Sequence, residues 1–343
     1  MIGLGHRASI VMSCNPERVA ARVSAVPEWS NVQMAAANMR AGVHRWTTGA
    51  AASKASVRMV AVTIPSEPPF AYAELFRLDR SRLLDMLRSL PVEEWQRPTP
   101  CPGWDVLGLV NHLVGADLSV LAWQRDDHRG TPAPSGLDEA GFIAWLDELQ
   151  IEWVHAARRI SPRLATELLG WLGDAVADMV ADQDATSRTA NVSWASTTPV
   201  PVWLDQAREL TERWIHRQQL LEAIGNGSDL DETLAGPVLD ALRWAYPFRL
   251  NAATLDHSLG GVEIVIAEPF ARVWHLTIDT GNWSFTDRLD GAPAVTLNMT
   301  VEQAWRLLTN NYRAQDHGDI ATEGDSRTVR VLTDTRAIIG DPK

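Results

Sequence analysis

Three side chains of this 343-residue sequence carry ligand chemistry: His112, and Glu212 with His216 four residues after it. In a helix, positions i and i+4 lie one above the other, roughly 5–6 Å apart between Cβ atoms, so a carboxylate oxygen and an imidazole nitrogen reach the same ion. His112, far upstream, has to arrive from a neighbouring helix. Two imidazoles and one carboxylate are borderline-soft ligands that suit zinc, and also iron, manganese or nickel. Three protein ligands leave a coordination position open, which points to chemistry rather than scaffolding.

An ordinary reading stands beside this one. On a helical wheel Glu212 and His216 share a stripe with Asp205, Arg208 and Gln219, opposite Trp203, Leu210, Trp214 and Leu221, the pattern of a solvated face narrowed by Ile215 and Leu220. His112 could equally be a core histidine satisfied by a backbone carbonyl. Around it, however, lie Gly108, Gly115, Ala116 and Ser119. Each interior glycine costs a helix about 1 kcal/mol relative to alanine, so close packing against another helix or a ligand has to offset it. Asp117 falls five residues beyond His112, on another side of the helix, and reads as structural. Cys101, between Pro100 and Pro102, reads as a small packed hydrophobe in a loop that could approach the site. His128, His155, His257, His275 and His317 have no partner at ligand spacing. No phosphate-binding glycine loop and no nucleophile elbow occurs.

The elements that must position the three residues follow from hydrophobic periodicity and caps. Apolar residues recur at helical spacing from Ala71 to Leu90 and stop at Pro91. After a proline-rich loop, Asp105 sits where an N-cap belongs, ahead of a helix carrying His112. Further helices are expected over Ala140–Ile160 and Pro162–Asp182, the latter with Ser161 as cap and a first-turn proline. The helix from Val202 to Ile224 holds Glu212 and His216 and ends at Gly225. After Asp231 the pattern changes to a short helix near Val238–Ala245, then β-rich runs at Val262–Ala267, Arg272–Asp279, Asn282–Thr286 and Ala294–Met299. Helices over Val301–Asn310 and Ser326–Ile338 close the chain. The expected fold class is α+β: a helical bundle over 69–228, then a small α/β domain over 229–343.

Residues 1–68 lack an apolar period and end in Pro65, Pro68 and Pro69, as a disordered extension would. Met59 offers an alternative start, and an over-long gene model is preferred to a targeting signal. The extension carries seven basic and three acidic side chains, leaving 24 basic against 40 acidic in the rest. A net charge of −12 and a pI near 5.2 argue against nucleic acid as a partner. No uninterrupted apolar run approaches the ~18 residues of a membrane span. Two distant cysteines exclude a disulfide framework, and a cytoplasmic location fits.

The strings Pro98-Thr99-Pro100-Cys101-Pro102-Gly103-Trp104-Asp105, Asn111-His112-Leu113 and Thr211-Glu212-Arg213-Trp214-Ile215-His216 resemble the mycothiol-dependent maleylpyruvate isomerase family, a branch of the DinB-like metal-binding bundles. The resemblance covers about residues 70 to 340. Val273-Trp274-His275-Leu276 and Ala304-Trp305-Arg306-Leu307-Leu308 resemble, more loosely, the sterol-carrier-like domain that follows the bundle. It implies an up-down bundle in which His112, Glu212 and His216 hold a divalent metal, zinc in first place. The polar stripe then faces a cavity rather than solvent. It also implies mycothiol as a cofactor, an electrophilic small-molecule substrate, and an arginine from the C-terminal domain. Here that region reads Asn310-Asn311-Tyr312-Arg313 instead of a Gly-Arg ending, and Arg313 is the catalytic residue it offers. With the chain's own cysteines read as poorly placed, the thiol has to come from outside. Two other classes stay open: a hydrolase using metal-bound water, and a non-catalytic metal- or lipid-binding or regulatory protein.

Overall fold

A computed structural model describes residues 62–337, apart from 129, 138, 254 and 256–259. The expectation for residues 1–61 therefore lies outside the described residues. Residues 62–68 pack onto the bundle: Ile64 is buried, and the Pro65 carbonyl accepts a hydrogen bond from the Trp203 indole at 2.9 Å. The sequence hid this because two apolar residues, Val62 and Ile64, ahead of a run of prolines carry no period.

The helical region consists of α1 (Tyr72–Ser89), α2 (Val106–Val120, continued by a π turn over Leu121–Arg125), α3 (Glu139–Ala157), α4 (Pro162–Asp182) and α5 (Val202–Ala223). Caps work as the sequence predicts, Asp105 accepting from Gly108 N at 2.8 Å and Ser161 from Leu164 N at 3.3 Å. Phe76, Leu83 and Leu87 of α1, Leu109 and Leu113 of α2, and Leu169, Leu172 and Val176 of α4 meet in one core. Val106–Arg125 is long and apolar enough to cross a membrane, but 61% of its apolar window is buried in the protein, as in the core helix of a bundle.

Helix α5 is the exception to simple amphipathicity. Every residue from Trp203 to Leu220 is buried, including the whole polar stripe, so the solvated-face reading does not hold. A chain of ion pairs makes that burial tolerable. Arg208 pairs with Asp205 and Glu209, and Arg213 pairs with Glu209 and Asp117. Arg80 of α1 bonds the other oxygen of Asp117 at 2.5 Å, and Arg217 pairs with Asp79 at 2.7 Å. Buried charges cost several kcal/mol each unless paired in this way. Asp117 is structural, as its position on α2 suggests.

Beyond the bundle, α6 (Glu232–Leu242) starts at an Asp231 cap and runs through Pro237, and α7 (Ala245–Ala252) follows. Sequence reading places only one short helix here, since an interior proline normally ends one. Strands β1 (Val262–Ala267), β2 (Arg272–Asp279), β3 (Asn282–Thr286), β4 (Val295–Thr300) and β5 (Ala321–Gly324) form a sheet of order β3-β2-β1-β4-β5. The β1–β4 pair is parallel and the other pairs antiparallel. Val262, Ile264 and Ile266 alternate inward with Val295, Leu297 and Met299, under α8 (Val301–Leu308) and α10 (Ser326–Thr333). A one-turn helix, α9 (Ala314–His317), lies between α8 and β5. The fold is α+β, helices first and sheet second. Trp305 of α8 meets Trp214 of α5 edge-on at 5.5 Å, and Arg306 bonds Glu222 at 2.9 Å, so α8 seats on the helix that carries Glu212 and His216.

Candidate metal centre

The loop before α2 is shaped by its own backbone bonds. Thr99 Oγ1 donates to the Trp104 carbonyl at 2.9 Å, Cys101 N donates to Thr99 Oγ1 at 3.2 Å, and Gly103 takes φ +85°. Only glycine adopts that conformation without strain. The turn lays the Trp104 ring over His112, with centroids 5.1 Å apart, and carries Cys101 to the far end of α5. From the other side α3 comes close to α2. A Cβ built on Gly115 would lie 2.3 Å from Trp153 Nε1, and that indole donates to the Asn111 carbonyl at 2.7 Å. The interior glycine is thus accounted for by a closely packed helix.

These elements bring His112, Glu212 and His216 together, with one ligand atom from each lying within 4.8 Å of the others. Their exposures are 0%, 4% and 1%. The two rings stand 4.8 Å apart at 77°, and His112 Nε2 lies 3.7 Å from Glu212 Oε1, too far for a hydrogen bond. The outer nitrogens are engaged. His112 Nδ1 faces Gln150 Oε1 of α3 at 3.3 Å, and His216 Nδ1 faces Gln219 Oε1 at 2.8 Å. An amide oxygen only accepts, so each Nδ1 carries a proton, and in the neutral rings each Nε2 offers a lone pair. Neither Nε2 has a hydrogen-bond partner among the described residues. Buried polar atoms are rarely left so, and two of them converging on a carboxylate fit a divalent metal better than a salt bridge.

The two imidazoles titrate in opposite directions. Burial pulls the His112 pKa below its ordinary value, only partly offset by Glu212. For His216 burial is again the largest single influence and lowers the pKa, but Cys101, Glu212 and Gln219 together outweigh it and raise the value. Cys101 is where the structure corrects the sequence reading. Its buried thiol donates to Gln219 Oε1 at 3.2 Å beside His216, so a protein sulfur does stand at the edge of the site. The missing signal is spatial, because Cys101 and Gln219 are 118 positions apart. Gln150 was invisible for the same reason. Gln219 was visible on the wheel without a role. Arg313 is exposed at the N-cap of α9, two residues beyond Asn311, whose side chain accepts from Gln219 Nε2 at 3.2 Å.

Residues 76–221 match the family model of the mycothiol maleylpyruvate isomerase N-terminal domain. Two solved structures are similar: a crystal structure of the mycothiol-dependent maleylpyruvate isomerase (13% identity, TM-score 0.44) and one of its histidine-to-alanine mutants (12%, 0.45). Each similarity covers 76% of this chain and 93% of the other. No curated protein matches the sequence. The span that matches this family model, residues 76–221, contains His112, Glu212 and His216.

Proposed function

We propose that this protein is a metal-dependent, mycothiol-using isomerase or S-transferase of the maleylpyruvate isomerase type, acting on small electrophilic molecules in the cytoplasm. The observation that carries the reading is the pair of buried, unpartnered Nε2 atoms converging with Glu212 inside the matched domain. His112, Glu212 and His216 would hold the metal, with zinc the favoured ion for two nitrogens and an oxygen. When bound, such an ion supplies a Lewis acid that holds a coordinated thiol as thiolate at neutral pH, where a free thiol of pKa ~8.5 is mostly protonated.

The chain's own groups prepare that position. Gln150 and Gln219 keep the ligand tautomers, and Trp104 shields the His112 ring from water. In the isomerase reaction the sulfur of the external thiol bonds to one carbon of the activated double bond, and its electron pair moves onto the conjugated carbonyl. Rotation about the resulting single bond follows. The same C–S bond then breaks, returning the thiol unchanged. With an electrophile that bears a leaving group, the C–S bond forms as the bond to that group breaks, the group departs with the bonding pair, and the C–S bond stays. Arg313 is the proposed catalytic contact for an anionic group of the substrate. Its place two residues after Asn311 supports that role.

The test is metal content and turnover of maleylpyruvate or a model electrophile, with and without mycothiol, in the wild type and in His216→Ala and Arg313→Ala. About one divalent ion per chain, its loss in His216→Ala, thiol-dependent turnover, and a raised KM in Arg313→Ala are expected. Turnover that needs metal but ignores the thiol would overturn the reading in favour of a hydrolase.

A further inference from the structure

Gln219 is the busiest polar side chain at the candidate centre. Its Oε1 accepts from His216 Nδ1 at 2.8 Å and from the Cys101 thiol at 3.2 Å, while its Nε2 donates to Asn311 Oδ1 at 3.2 Å. The amide is 6% exposed. Three contacts from three parts of the chain fix which end of the carboxamide points where. Asn311 takes the amino end, so the oxygen has to face the imidazole and the thiol. Asn311 is itself held, donating from Nδ2 to the Thr309 carbonyl at 2.8 Å and from its backbone N to the Arg306 carbonyl at 2.7 Å. Arg306 in turn bonds Glu302 and Glu222. The C-terminal end of α8, the loop before α2 and the ligand helix α5 therefore meet on one amide.

We infer that Gln219 is a positioning residue for the metal centre: it holds His216 with the proton on Nδ1 and the lone pair on Nε2, and it makes that state depend on Asn311 and the Cys101 loop. The inference rests on the metal reading of the triad. Among the described residues His112 has a support of this kind in Gln150 on α3, so the two proposed ligands are steadied by different parts of the protein. Outer-shell acceptors of this kind set ring orientation and raise ligand basicity. A substitution at Asn311, which touches no proposed ligand, is then felt at the metal.

The experiment measures the affinity of the full-length protein for Zn²⁺ by chelator competition and for Co²⁺ by visible absorption, alongside urea unfolding of the metal-free forms. Gln219→Met keeps length and removes both polar ends; it should weaken metal binding about 10–100-fold. Gln219→Glu keeps an acceptor toward His216 and should restore affinity to within roughly threefold of wild type. Asn311→Ala leaves the amide in place but unanchored, and should cost about 2–10-fold, the scale of one lost hydrogen bond. A merely structural role would lower the unfolding midpoint while leaving the metal affinity of the folded protein unchanged. Wild-type affinity in Gln219→Met, or an equal loss in Gln219→Glu, overturns the inference. Should Gln219→Met not fold, wild-type affinity in Asn311→Ala does so. Metal binding in the wild type with no change in the variants leaves the proposed function standing, whereas no binding in the wild type removes both.

Discussion

Replacing Gly115 by alanine sets two physical effects of opposite sign against each other. In an isolated helix the change gains about 1 kcal/mol of propensity. Here the new Cβ would lie 2.3 Å from Trp153 Nε1, 2.4 Å from Cδ1 and 2.9 Å from Cε2, the first two more than 1 Å inside normal contact. The indole cannot swing aside cheaply, because its N–H donates to the Asn111 carbonyl at 2.7 Å. Overpacking costs about 1–3 kcal/mol and the strained or lost hydrogen bond about 0.5–1.5 kcal/mol. Set against the propensity gain, the net is a destabilisation of about 0.5–3.5 kcal/mol. Because Gln150 rides on the same helix as Trp153, metal affinity should fall too. Gly170→Ala is the control: its Cβ would meet only Leu84 Cδ1, at 3.7 Å, so it should stabilise by about 0.5–1 kcal/mol. The assay is urea unfolding of the three proteins with Zn²⁺ titration of each. If Gly115→Ala proves as stabilising as Gly170→Ala, α3 does not lie against α2 as described.

Two further outcomes follow from packing and charge. A chain beginning at residue 62 should melt several degrees above one beginning at 69, because the shorter form loses the buried Ile64 side chain, about 1.5–3 kcal/mol, and the Pro65–Trp203 bond. Equal melting curves would show that this segment adds nothing. For Asp229, burial is the largest influence and raises the pKa, but Arg217 and Arg82 together hold it below the ordinary carboxylate value. A depressed folded pKa means stability present above the unfolded value and lost as pH falls through the folded one. Asp229→Asn should therefore be less stable than wild type at pH 7 and converge toward it in acid. An unchanged difference between the two proteins from pH 7 to pH 2 would refute the pairing.

Much of this architecture was legible because local and global signals agree. Val262–Ala267, Arg272–Asp279 and Asn282–Thr286 fall where alternation and flanking turns put them, and Pro162–Asp182 starts and stops at its cap and last apolar residue. Strand β5 was not legible, since all four of its residues are exposed at the sheet edge and no apolar pattern marks it. The convergence of His112, Glu212 and His216 could be read from spacing, yet the contacts around them could not. Gln150, Cys101 and Gln219 matter through contacts that only tertiary packing makes. The burial of α5 was hidden for a related reason, because Asp117 and Asp79, which pair its Arg213 and Arg217, belong to other helices.

The buried ion pairs of α5 also answer a question that apolar packing leaves open. Leucine and valine ridges tolerate one helix sliding past another by a turn, about 5.4 Å, with little loss of buried area. The ionic chain on α5 does not. Such a slide would part Arg213 from Asp117 and Arg217 from Asp79 at the same moment, stranding charges in a dry interior. The ladder therefore acts as a vernier between α5, α1 and α2, and Glu212 and His216 sit between its rungs. His112, Glu212 and His216 are thus set in register by charged pairs that lie outside the triad itself.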